Sequence, residues 1–363
     1  LVDNMMKLSQ MVNDFAESNP QIIAVDTETQ GLGWEHKIIG ISFSWSEDHN
    51  YYIPFRHVTE DNQLNIFECR EYLQKLLSFE DKEYVFHNYK FDRHMLKKDG
   101  IEVSGIIQDT MLMHYVIDEN EKHSLKSLAC KYVDPEAHKY EKFISDFRKK
   151  LSRVLKIKLK EFGYEHVPIN IMVQYACRDT LYTLILHDKL REIVHADKDR
   201  LEIYRREIEL LPILCAMEEE GVFIDQDLLA QKSEKLGEEL ECLKNEILSE
   251  TGTDFDLNSP KQLREMLQKK GIHTRRYTPT GKMSTDNKSL KSICRKFPFV
   301  QKVLNYREKF KNKHTYTDPL RDFCDENSRI HCNYMQAVAV TGRLTCTKPS
   351  LQVIPRSTGI RDA

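Results

Sequence analysis

Residues 21–31, QIIAVDTETQG, run four apolar side chains directly into two acids that are one residue apart. The apolar run predicts a buried strand, and side chains at positions i and i+2 of a strand lie on the same face. Asp26 and Glu28 would therefore stand side by side at the end of a core strand, where their charges repel each other. Because a cation between them removes that repulsion, the pattern indicates a metal site.

Further carboxylates suited to such a site occur at two later points in the chain. Asp92 follows a predicted strand-to-helix turn, with Asn88 four residues before it. Asp179 follows Tyr175 by four residues, and positions i and i+4 share one face of a helix. Hard carboxylate oxygens suit Mg²⁺ or Mn²⁺ rather than zinc. Each motif alone is common as a helix cap or a packing contact, so the prediction rests on the ordered combination.

The composition is that of a globular protein with more than one domain. At 363 residues the chain is too long for one ordinary core, and no apolar run approaches the roughly 18 residues of a membrane span. Nine scattered cysteines without CxxC pairs favour a reducing compartment over a zinc site or disulfide framework. We therefore expect a cytoplasmic protein with no membrane partner. The missing initiator methionine favours a processed or cut chain.

Charge is divided unevenly along the second half of the chain. Residues 198–250 contain 15 acidic and 7 basic side chains, whereas residues 261–313 contain 16 basic and 3 acidic ones. A solvated surface usually mixes both signs, so the basic block predicts a face that binds nucleic acid. Residues 148–160 form a second basic run with seven bases and no acid, which would either guide single-stranded DNA or form an ordinary solvated helix.

Hydrophobic patterning divides the chain into an α/β part and a mostly helical part. Strands are expected at 22–25, 37–45, 50–57 and 83–88, and helices at 3–16, 65–79 and 89–100. From about residue 201 the pattern is helical, with a long helix capped by Asp225 and closed by Gly252. A shorter helix begins near Pro260 and ends at Gly271, and a strand-like alternation follows Arg329.

The ordered motifs D-x-E, N-x-x-F-D and Y-x-x-x-D resemble the three exonuclease motifs of the DEDD superfamily, whose members share a ribonuclease-H-like fold. Tyr175 indicates the DEDDy branch, because the histidine branch would have His at the position of Gln174. The resemblance implies a mixed β-sheet flanked by helices. It also implies two-metal hydrolysis of phosphodiesters, in which two Mg²⁺ or Mn²⁺ ions clamp the attacking and leaving oxygens.

The same resemblance assigns roles to the five motif residues. One ion would be held by Asp26, Glu28 and Asp179, and the second by Asp26 and, through water, Asp92. Tyr175 would orient the attacking water as a neutral hydroxyl, alongside Glu28, because the ordinary pKa of tyrosine is about 10.

Two further residues fall at substrate positions of the superfamily. Leu32 lies where a leucine wedges against the terminal base, and Asn88 lies where the substrate strand is contacted. A surface loop and a helix cap are the ordinary alternatives for these two residues.

The second half resembles family A DNA polymerases, the DNA polymerase I group. The resembling segments, in the order of that family, are residues 254–272, 278–286, 303–320, 329–344 and 349–363. The resemblance covers nearly the whole chain from about Gln21 to Ala363, and implies a host that is a bacterium or a phage-infected cell, with an organelle as the alternative. It implies a proofreading 3′–5′ exonuclease that takes a single-stranded 3′ end of DNA, followed by a thumb that holds primer–template duplex.

The implied domains are the exonuclease at 1–197, the thumb at 198–328 and the beginning of the palm at 329–363. The residues implied to contact DNA or to lie near the thumb tip are Ser259, Lys261, Ser284, Lys313, Tyr316, Arg343 and Gln352. A solvated or capping role is the alternative for each of them.

The chain departs from the family pattern at four palm positions. Ser350 and Val353 replace two usual asparagines, and Thr345 and Cys346 replace two usual serines, which puts the template contacts of these side chains in doubt. The sequence stops before the segment where the family places its first palm aspartate. We therefore expect no primer extension by this chain alone, and expect a palm-and-fingers chain or a deleted C-terminal remainder to complete it. An unfinished palm would otherwise leave the fragment poorly soluble.

Three functions follow from these patterns. The leading one is 3′–5′ exonuclease hydrolysis of DNA within a family A polymerase. The second is a non-catalytic subunit that holds DNA for a split polymerase, against which the intact acids argue. The third is an exoribonuclease that processes RNA 3′ ends, against which the thumb segments argue.

Overall fold

The computed structural model describes residues 1–31, 33, 35–59 and 62–363, without the side chains of Lys160 and Ser357. The described chain divides into two compact units. The sheet unit comprises Leu1–Ala216 and Met335–Leu344, and the helical unit comprises Met217–Tyr334 and Thr345–Ala363. None of the helices in the described part of the chain combines the length and the apolar character needed to span a membrane.

A five-stranded mixed sheet forms the centre of the sheet unit. Its strands are β1 (Ile22–Thr29), β2 (Ile38–Ser44), β3 (Asn50–Pro54), β4 (Glu83–Phe86) and β5 (Ile106–Asp109), in the order β3-β2-β1-β4-β5. The central strand β1 runs antiparallel to β2 and parallel to β4, and β4 is parallel to β5. Its pairing with β2 becomes irregular between Glu28 and Thr29. The predicted α/β class with a mixed sheet is confirmed.

Helices cover the sheet. They are α1 (Met5–Ser18), α2 (Ile66–Leu76), α3 (Tyr89–Lys98), α4 (Thr110–Ile117), α5 (Leu125–Tyr132), α6 (His138–Leu155), α7 (Ile169–His195) and the first part of α8 (Lys198–Glu220), with 3₁₀ turns at Leu159–Glu161 and Tyr164–His166. Alternate residues of β1 pack on opposite sides. Ile23 and Val25 join the main apolar core, whereas Ala24 packs with Val85 of β4 and Leu184 of α7. The even-numbered face of β1 therefore lies toward α7.

The helical unit is built mainly from one long helix and the shorter helices beside it. Its helices are α9 (Gln226–Thr251), α10 (Pro260–Lys269), α11 (Asn287–Lys291), α12 (Pro298–Lys311), a π-helix (Asn312–Thr317) and α13 (Asp318–Asp322), followed by 3₁₀ turns at Leu351–Val353, Arg356–Thr358 and Ile360–Asp362. Short strand pairs are β6 (Val222–Phe223) with β7 (Arg329–Ile330), and β8 (Asn333–Met335) with β9 (Thr345–Thr347). The Asp225 carboxylate accepts the Leu228 N–H at 2.9 Å, and Gly252 closes α9 with φ +62°, as the sequence predicts.

The strand-like alternation after Arg329 gives only the short strands β7 and β8. Beyond β8 the polar groups bond to helices of the sheet unit instead of to a neighbouring strand. The Tyr115 hydroxyl of α4 donates to the Ala339 carbonyl at 2.7 Å, and the Gln336 amide donates to the Glu207 carboxylate of α8 at 2.6 Å. These tertiary bonds override the local pattern.

Candidate active site

The central strand carries the first two acids of the site. Asp26 and Glu28 share the even-numbered face of β1 with Ala24, which packs against α7. Asp26 stays partly exposed, whereas Glu28 is buried. Among the described residues, the Glu28 Oε1 atom is buried without a hydrogen-bond partner. A buried carboxylate oxygen without a donor is costly, so the site favours a ligand that satisfies it.

The third acid is fixed to the same strand by two hydrogen bonds. Asp92 lies in the first turn of α3 and is buried. Its Oδ1 accepts the Thr27 backbone N–H at 2.9 Å and the Thr27 hydroxyl at 2.6 Å. Thr27 lies between Asp26 and Glu28, so the strand that carries two acids also positions the third.

The fourth acid comes from α7 and has two neighbours that restrain it. Asp179 is buried, and Tyr175 lies one turn earlier on the same helix. The Lys126 ammonium of α5 forms an ion pair with Asp179 Oδ1, and Lys126 and Tyr175 both lower the pKa of Asp179. Lys126 also lies 4.5 Å from the centre of the Tyr175 ring. The predicted i and i+4 pair therefore does share one face.

Burial raises the pKa values of all four carboxyls, and repulsion from the other acids of the site adds to the shift of Asp26 and Glu28. Burial raises the pKa of Glu28 to about 8 and the pKa of Asp92 to about 7. The pKa of Asp26 lies well above its usual range, because burial is reinforced by the charges of Asp92, Glu28 and Asp179. Burial also raises the pKa of Asp179, while Lys126 opposes that shift. The four acids lie close enough together to interact electrostatically, which four isolated acids would not do.

The donor set has the chemistry of a site for hard divalent cations. It offers carboxylate oxygens, the ligands that Mg²⁺ and Mn²⁺ prefer, and one of them, Glu28 Oε1, is buried and unsatisfied among the described residues. Within residues 1–31, 33, 35–59 and 62–363, no three acidic, histidine or cysteine side chains converge closely enough to hold an ion as they stand. The acids therefore offer suitable ligands for a metal ion, but their side chains must move closer together before they can bind one.

The structure describes only one of the two residues predicted to contact the substrate, Asn88 and Leu32. Asn88 precedes α3 in the left-handed region, with φ +75°, and its side chain makes no capping bond, so the helix-cap alternative does not hold. A contact between Asn88 and the substrate strand stays a prediction. Leu32 lies outside the described residues.

Two residues near the site are not among those predicted from the sequence. The Asp109 carboxylate follows β5 and accepts the N–H groups of Tyr89, Met111 and Leu112 at 2.8, 2.8 and 3.1 Å, which joins α3 to α4. An acid between a strand and a helix is a cap signal that could have identified Asp109. Lys126 has no such signal, because it lies 53 residues before Asp179 and reaches it only through packing.

The DNA-contact residues predicted in the second half lie apart from the acidic site in sequence and differ in exposure. Lys261 and Arg343 are exposed, and Arg343 belongs to the segment that packs with the sheet unit. Ser259 caps α10 by accepting the Gln262 N–H at 3.3 Å. Ser284 is buried, and its hydroxyl accepts a backbone N–H.

The side chains of the other predicted DNA contacts interact with other residues of the protein. The Lys313 ammonium contacts Ser233 and lies 3.3 Å from Asp318. Tyr316 is only 8% exposed and packs in an apolar cluster of the helical unit. The Gln352 side chain accepts the Cys346 N–H at 3.2 Å. Tyr316 would have to rearrange to reach DNA, whereas Gln352 is exposed. The contact of all three side chains with DNA stays a prediction.

Part of the basic block is neutralised within the helical unit. Lys302 of α12 lies 3.0 Å from Glu246 and 3.1 Å from Glu250, and Lys309 pairs with Glu239, all three acids being on α9. The acidic and basic stretches of the sequence thus partly face each other. The positive charge open to solvent is smaller than the sequence count suggests.

Two family models match the chain, one in its first half and one in its second. The model described as 3′-5′ exonuclease matches residues 1–195, and the model described as DNA polymerase family A matches residues 226–363. The chain belongs to the family A DNA polymerases. The acids of the candidate site all lie in the part matched by the exonuclease model, and members of these families are generally metal-dependent.

Curated relatives of this family A chain are DNA polymerases of bacteria and phage. DNA polymerase I of Borreliella burgdorferi is 32% identical over 350 residues, which are 95% of this chain and 36% of that protein. DNA polymerase I of Synechocystis is 34% identical and covers 92% of this chain and 33% of the relative. The DNA polymerase of Escherichia phage T5 is 30% identical, with 93% of this chain and 41% of the relative covered. The chain spans between about a third and two fifths of the length of these relatives.

A solved family structure has the same fold. The POL domain of Pol1 from M. smegmatis, in a complex with DNA primer-template and dNTP, matches 97% of this chain and 55% of that chain. The TM-score is 0.72 and the sequence identity is 22%, so the likeness concerns the fold alone.

Proposed function

We propose that this family A chain is a 3′–5′ exodeoxyribonuclease whose site consists of Asp26, Glu28, Asp92, Tyr175 and Asp179. One observation carries the proposal: acids from β1, α3 and α7 form a single interacting cluster that contains an unsatisfied buried oxygen, Glu28 Oε1, among the described residues. Interacting buried acids are typical of catalytic sites. The match of residues 1–195 to the exonuclease model supports the same activity.

The side chains of the site have separate tasks in this proposal. Burial, followed by the charge of Asp179, raises the pKa of Tyr175 well above its ordinary value, so its hydroxyl stays neutral at every working pH. Tyr175 lies one turn before Asp179 on α7, and its neutral hydroxyl would accept a hydrogen bond from the attacking water. The unsatisfied Glu28 oxygen can accept the second proton of that water. Together they orient the nucleophile toward the terminal phosphodiester.

The same acids would hold two Mg²⁺ or Mn²⁺ ions. Asp26, Glu28 and Asp179 would hold one ion, and Asp26, with Asp92 through water, would hold the other. The chemistry that bound ions supply here is activation of the water and stabilisation of charge on the leaving oxygen. Thr27 keeps Asp92 in place through its two hydrogen bonds.

The remainder of the chain would hold the DNA that the exonuclease edits. We assign the exonuclease to residues 1–197, the thumb to 198–328 and the start of the palm to 329–363. The match of residues 226–363 to the DNA polymerase family A model supports a grip on primer–template duplex. A cytoplasmic location stays a prediction.

The test of the proposed function is time-resolved digestion of a 5′-labelled single-stranded DNA with Mg²⁺. We expect products that shorten stepwise from the 3′ end, and we expect none with EDTA or with the Asp26→Ala protein. The matched control is Asp48→Ala, because Asp48 is an exposed acid in the loop that follows β2. That variant should digest DNA like the unchanged protein.

Two other outcomes would select the other functions. Intact DNA together with persistent binding of primer–template duplex would favour the non-catalytic holding subunit. Faster digestion of an RNA oligonucleotide of the same sequence would favour the exoribonuclease. Either result would reject the proposal of a DNA-editing nuclease.

A further inference from the structure

A lysine lies among the four acids. The Lys126 ammonium contacts the Asp179 carboxylate, and the Lys126 side chain is only 12% exposed. The charge of Lys126 lowers the pKa values of Asp26 and Glu28 as well as that of Asp179. One ammonium group therefore acts on acids from two different elements, β1 and α7.

The neighbours of Lys126 hold its ammonium group in this place. Lys126 lies in the first turn of α5, which begins after Ser124, whose hydroxyl accepts the Ser127 N–H. The ammonium lies 4.5 Å from the centre of the Tyr175 ring, a distance at which a cation is attracted to an aromatic face. The Tyr175 ring in turn stacks with Tyr164, with centroids 6.3 Å apart and planes 14° apart. The lysine therefore has an ionic partner and an aromatic partner that are both fixed.

We propose that Lys126 is a built-in counter-ion of the exonuclease site, which neutralises the acids in the metal-free protein and must leave Asp179 before a divalent cation binds there. Four clustered acids without a cation would repel one another strongly. An ammonium and a divalent cation at the same carboxylate oxygen repel each other, so the two compete for Asp179. This inference rests on the proposed function, because it takes Asp179 to be a metal ligand.

The arrangement of the candidate metal ligands supports a competition between Lys126 and a metal ion. Within the described residues, no three candidate ligands converge on one point, and Lys126 engages one of them. Release of Lys126 frees Asp179 Oδ1 and lets the site close.

The test measures metal binding and metal-free stability without DNA. Protein stripped with EDTA and then freed of chelator is titrated with Mn²⁺ by calorimetry, and its thermal unfolding is recorded before and after Mn²⁺ is added. Lys126→Met keeps the length of the side chain and removes its charge. Lys131→Met is the matched control on the same helix, because Lys131 is 43% exposed and pairs with Glu121 away from the acids.

We expect Lys126→Met to bind Mn²⁺ at least about tenfold more tightly than the unchanged protein, because a competing charge beside Asp179 is gone. We also expect its metal-free Tm to fall and Mn²⁺ to raise it by more than in the unchanged protein. Lys131→Met should match the unchanged protein in both measurements. Unchanged or weaker Mn²⁺ binding by Lys126→Met would overturn the inference, and would leave Lys126 as a structural ion pair or a contact to a DNA phosphate.

A second measurement uses the unchanged protein and does not depend on the variant folding. Amines are acetylated with a water-soluble ester, and the rate at each lysine is followed by mass spectrometry with and without Mn²⁺. The inference expects faster acetylation of Lys126 when Mn²⁺ is present and an unchanged rate at Lys131. An unchanged rate at Lys126, although calorimetry detects Mn²⁺ binding, would overturn the inference alone. Absence of Mn²⁺ binding by both the unchanged protein and Lys126→Met would reject the metal site of the proposed function, and the inference with it.

Discussion

The Thr27 hydroxyl and the Thr27 backbone N–H both donate to one oxygen of Asp92, at 2.6 and 2.9 Å. The two residues are 65 positions apart in the chain. Because Thr27 stands between Asp26 and Glu28, these two bonds connect the acid of α3 directly to the strand that carries the other two. The relative position of three acids thus depends on one threonine.

Replacing that threonine should impair the nuclease while leaving the fold intact. Thr27→Val keeps the shape of the side chain and the backbone bond but removes one hydrogen bond to a charged group, which is worth about 1.5–3 kcal/mol. We expect the pKa of Asp92 to rise further, because that bond lowers it. At neutral pH the rate of DNA digestion should fall about tenfold, and it should recover partly as the pH is raised.

The measurement is the initial digestion rate against pH. Thr27→Ser is the control, because it keeps the hydroxyl and should retain the pH profile of the unchanged protein. An unchanged profile in Thr27→Val would mean that the backbone bond alone positions Asp92.

A glycine in β2 should be intolerant of a side chain. Gly40 pairs with Glu28 across the sheet, and a Cβ atom at Gly40 would overlap the ring and hydroxyl of Tyr52. The Tyr52 ring is fully buried, and its hydroxyl is hydrogen-bonded to His57 at 2.9 Å, so it cannot move away cheaply. Gly40→Ala should destabilise the protein by about 1–3 kcal/mol, as overpacked cores do. Urea unfolding of the two proteins measures the difference.

Gly237→Ala provides the contrasting variant. Gly237 lies inside α9, and the nearest atom to an added Cβ is Lys313 Cε at 3.8 Å, an ordinary contact distance. Since glycine inside a helix is destabilising relative to alanine, this change should stabilise the protein by about 0.5–1 kcal/mol. If both alanine variants behaved alike in urea, the proposed overlap with Tyr52 would not be the cause.

The strand β1 and its acid pair could be predicted from the sequence, because strand alternation alone places Asp26 and Glu28 on one face. The i and i+4 spacing likewise places Tyr175 and Asp179 on one face of a helix. The ends of α9 followed equally from local rules, since Asp225 and Gly252 are adequate start and stop signals. These features depend on neighbours within a few residues, which a sequence displays directly.

Other parts of the site depend on packing between distant segments. The contact between Lys126 and Asp179 requires α5 to lie against α7, and no local pattern encodes that. Tyr316 is a second example: the family resemblance predicts a contact with DNA there, yet the fold of the helical unit buries the side chain in a cluster with Leu320. Tertiary burial decides such positions, and it is invisible in a short window of sequence.

The metal-free protein should lose stability as the pH rises through the neutral range. The pKa of Glu28 is about 8 in the folded protein, above the ordinary 4.5, because of burial and the charge of Asp179. The folded state therefore holds a proton that the unfolded state has released, and this contribution, complete below about pH 4.5, is lost as the pH rises through 8. Burial lowers the pKa values of His87 and His114 to about 4, so the unfolded state binds more protons at these two residues near pH 6.5 and they oppose the effect there. They do so equally in every variant, so a comparison of variants isolates the contribution of Glu28.

Urea unfolding in EDTA between pH 6.5 and 8 measures this loss. Glu28 should contribute a slope of about 1.4 kcal/mol per pH unit, and Glu28→Gln should remove that part of the slope. The matched control Glu47→Gln changes an exposed acid in the loop after β2 and should leave the slope unchanged. Equal slopes for all three proteins would mean that Glu28 is ionised in the folded state.

Asp109 should matter more to stability than an ordinary helix cap. Its carboxylate accepts N–H groups from the start of α3 and the start of α4, and its own N–H donates to the Tyr204 hydroxyl at 3.0 Å. Asp109→Ala would leave several buried donors unsatisfied, so we expect a loss of about 2–4 kcal/mol in urea unfolding. Asp286 is the matched cap of α11 in the helical unit, where the Ser289 N–H is its partner. Asp286→Ala should cost only about 1 kcal/mol.

The position of Asp109 also predicts a selective effect on the nuclease. Asp109→Asn keeps an oxygen that can cap α4 but loses the second oxygen, which accepts the Tyr89 N–H at the start of α3. That helix start carries Asn88 and Asp92, so the asparagine variant should digest DNA more slowly at a temperature where it is fully folded. A variant that lost stability but digested DNA at the unchanged rate would show that Asp109 supports α4 alone. The distinction matters because the link to α3 joins Asp109 to the helix that carries Asp92, the acid that Thr27 holds.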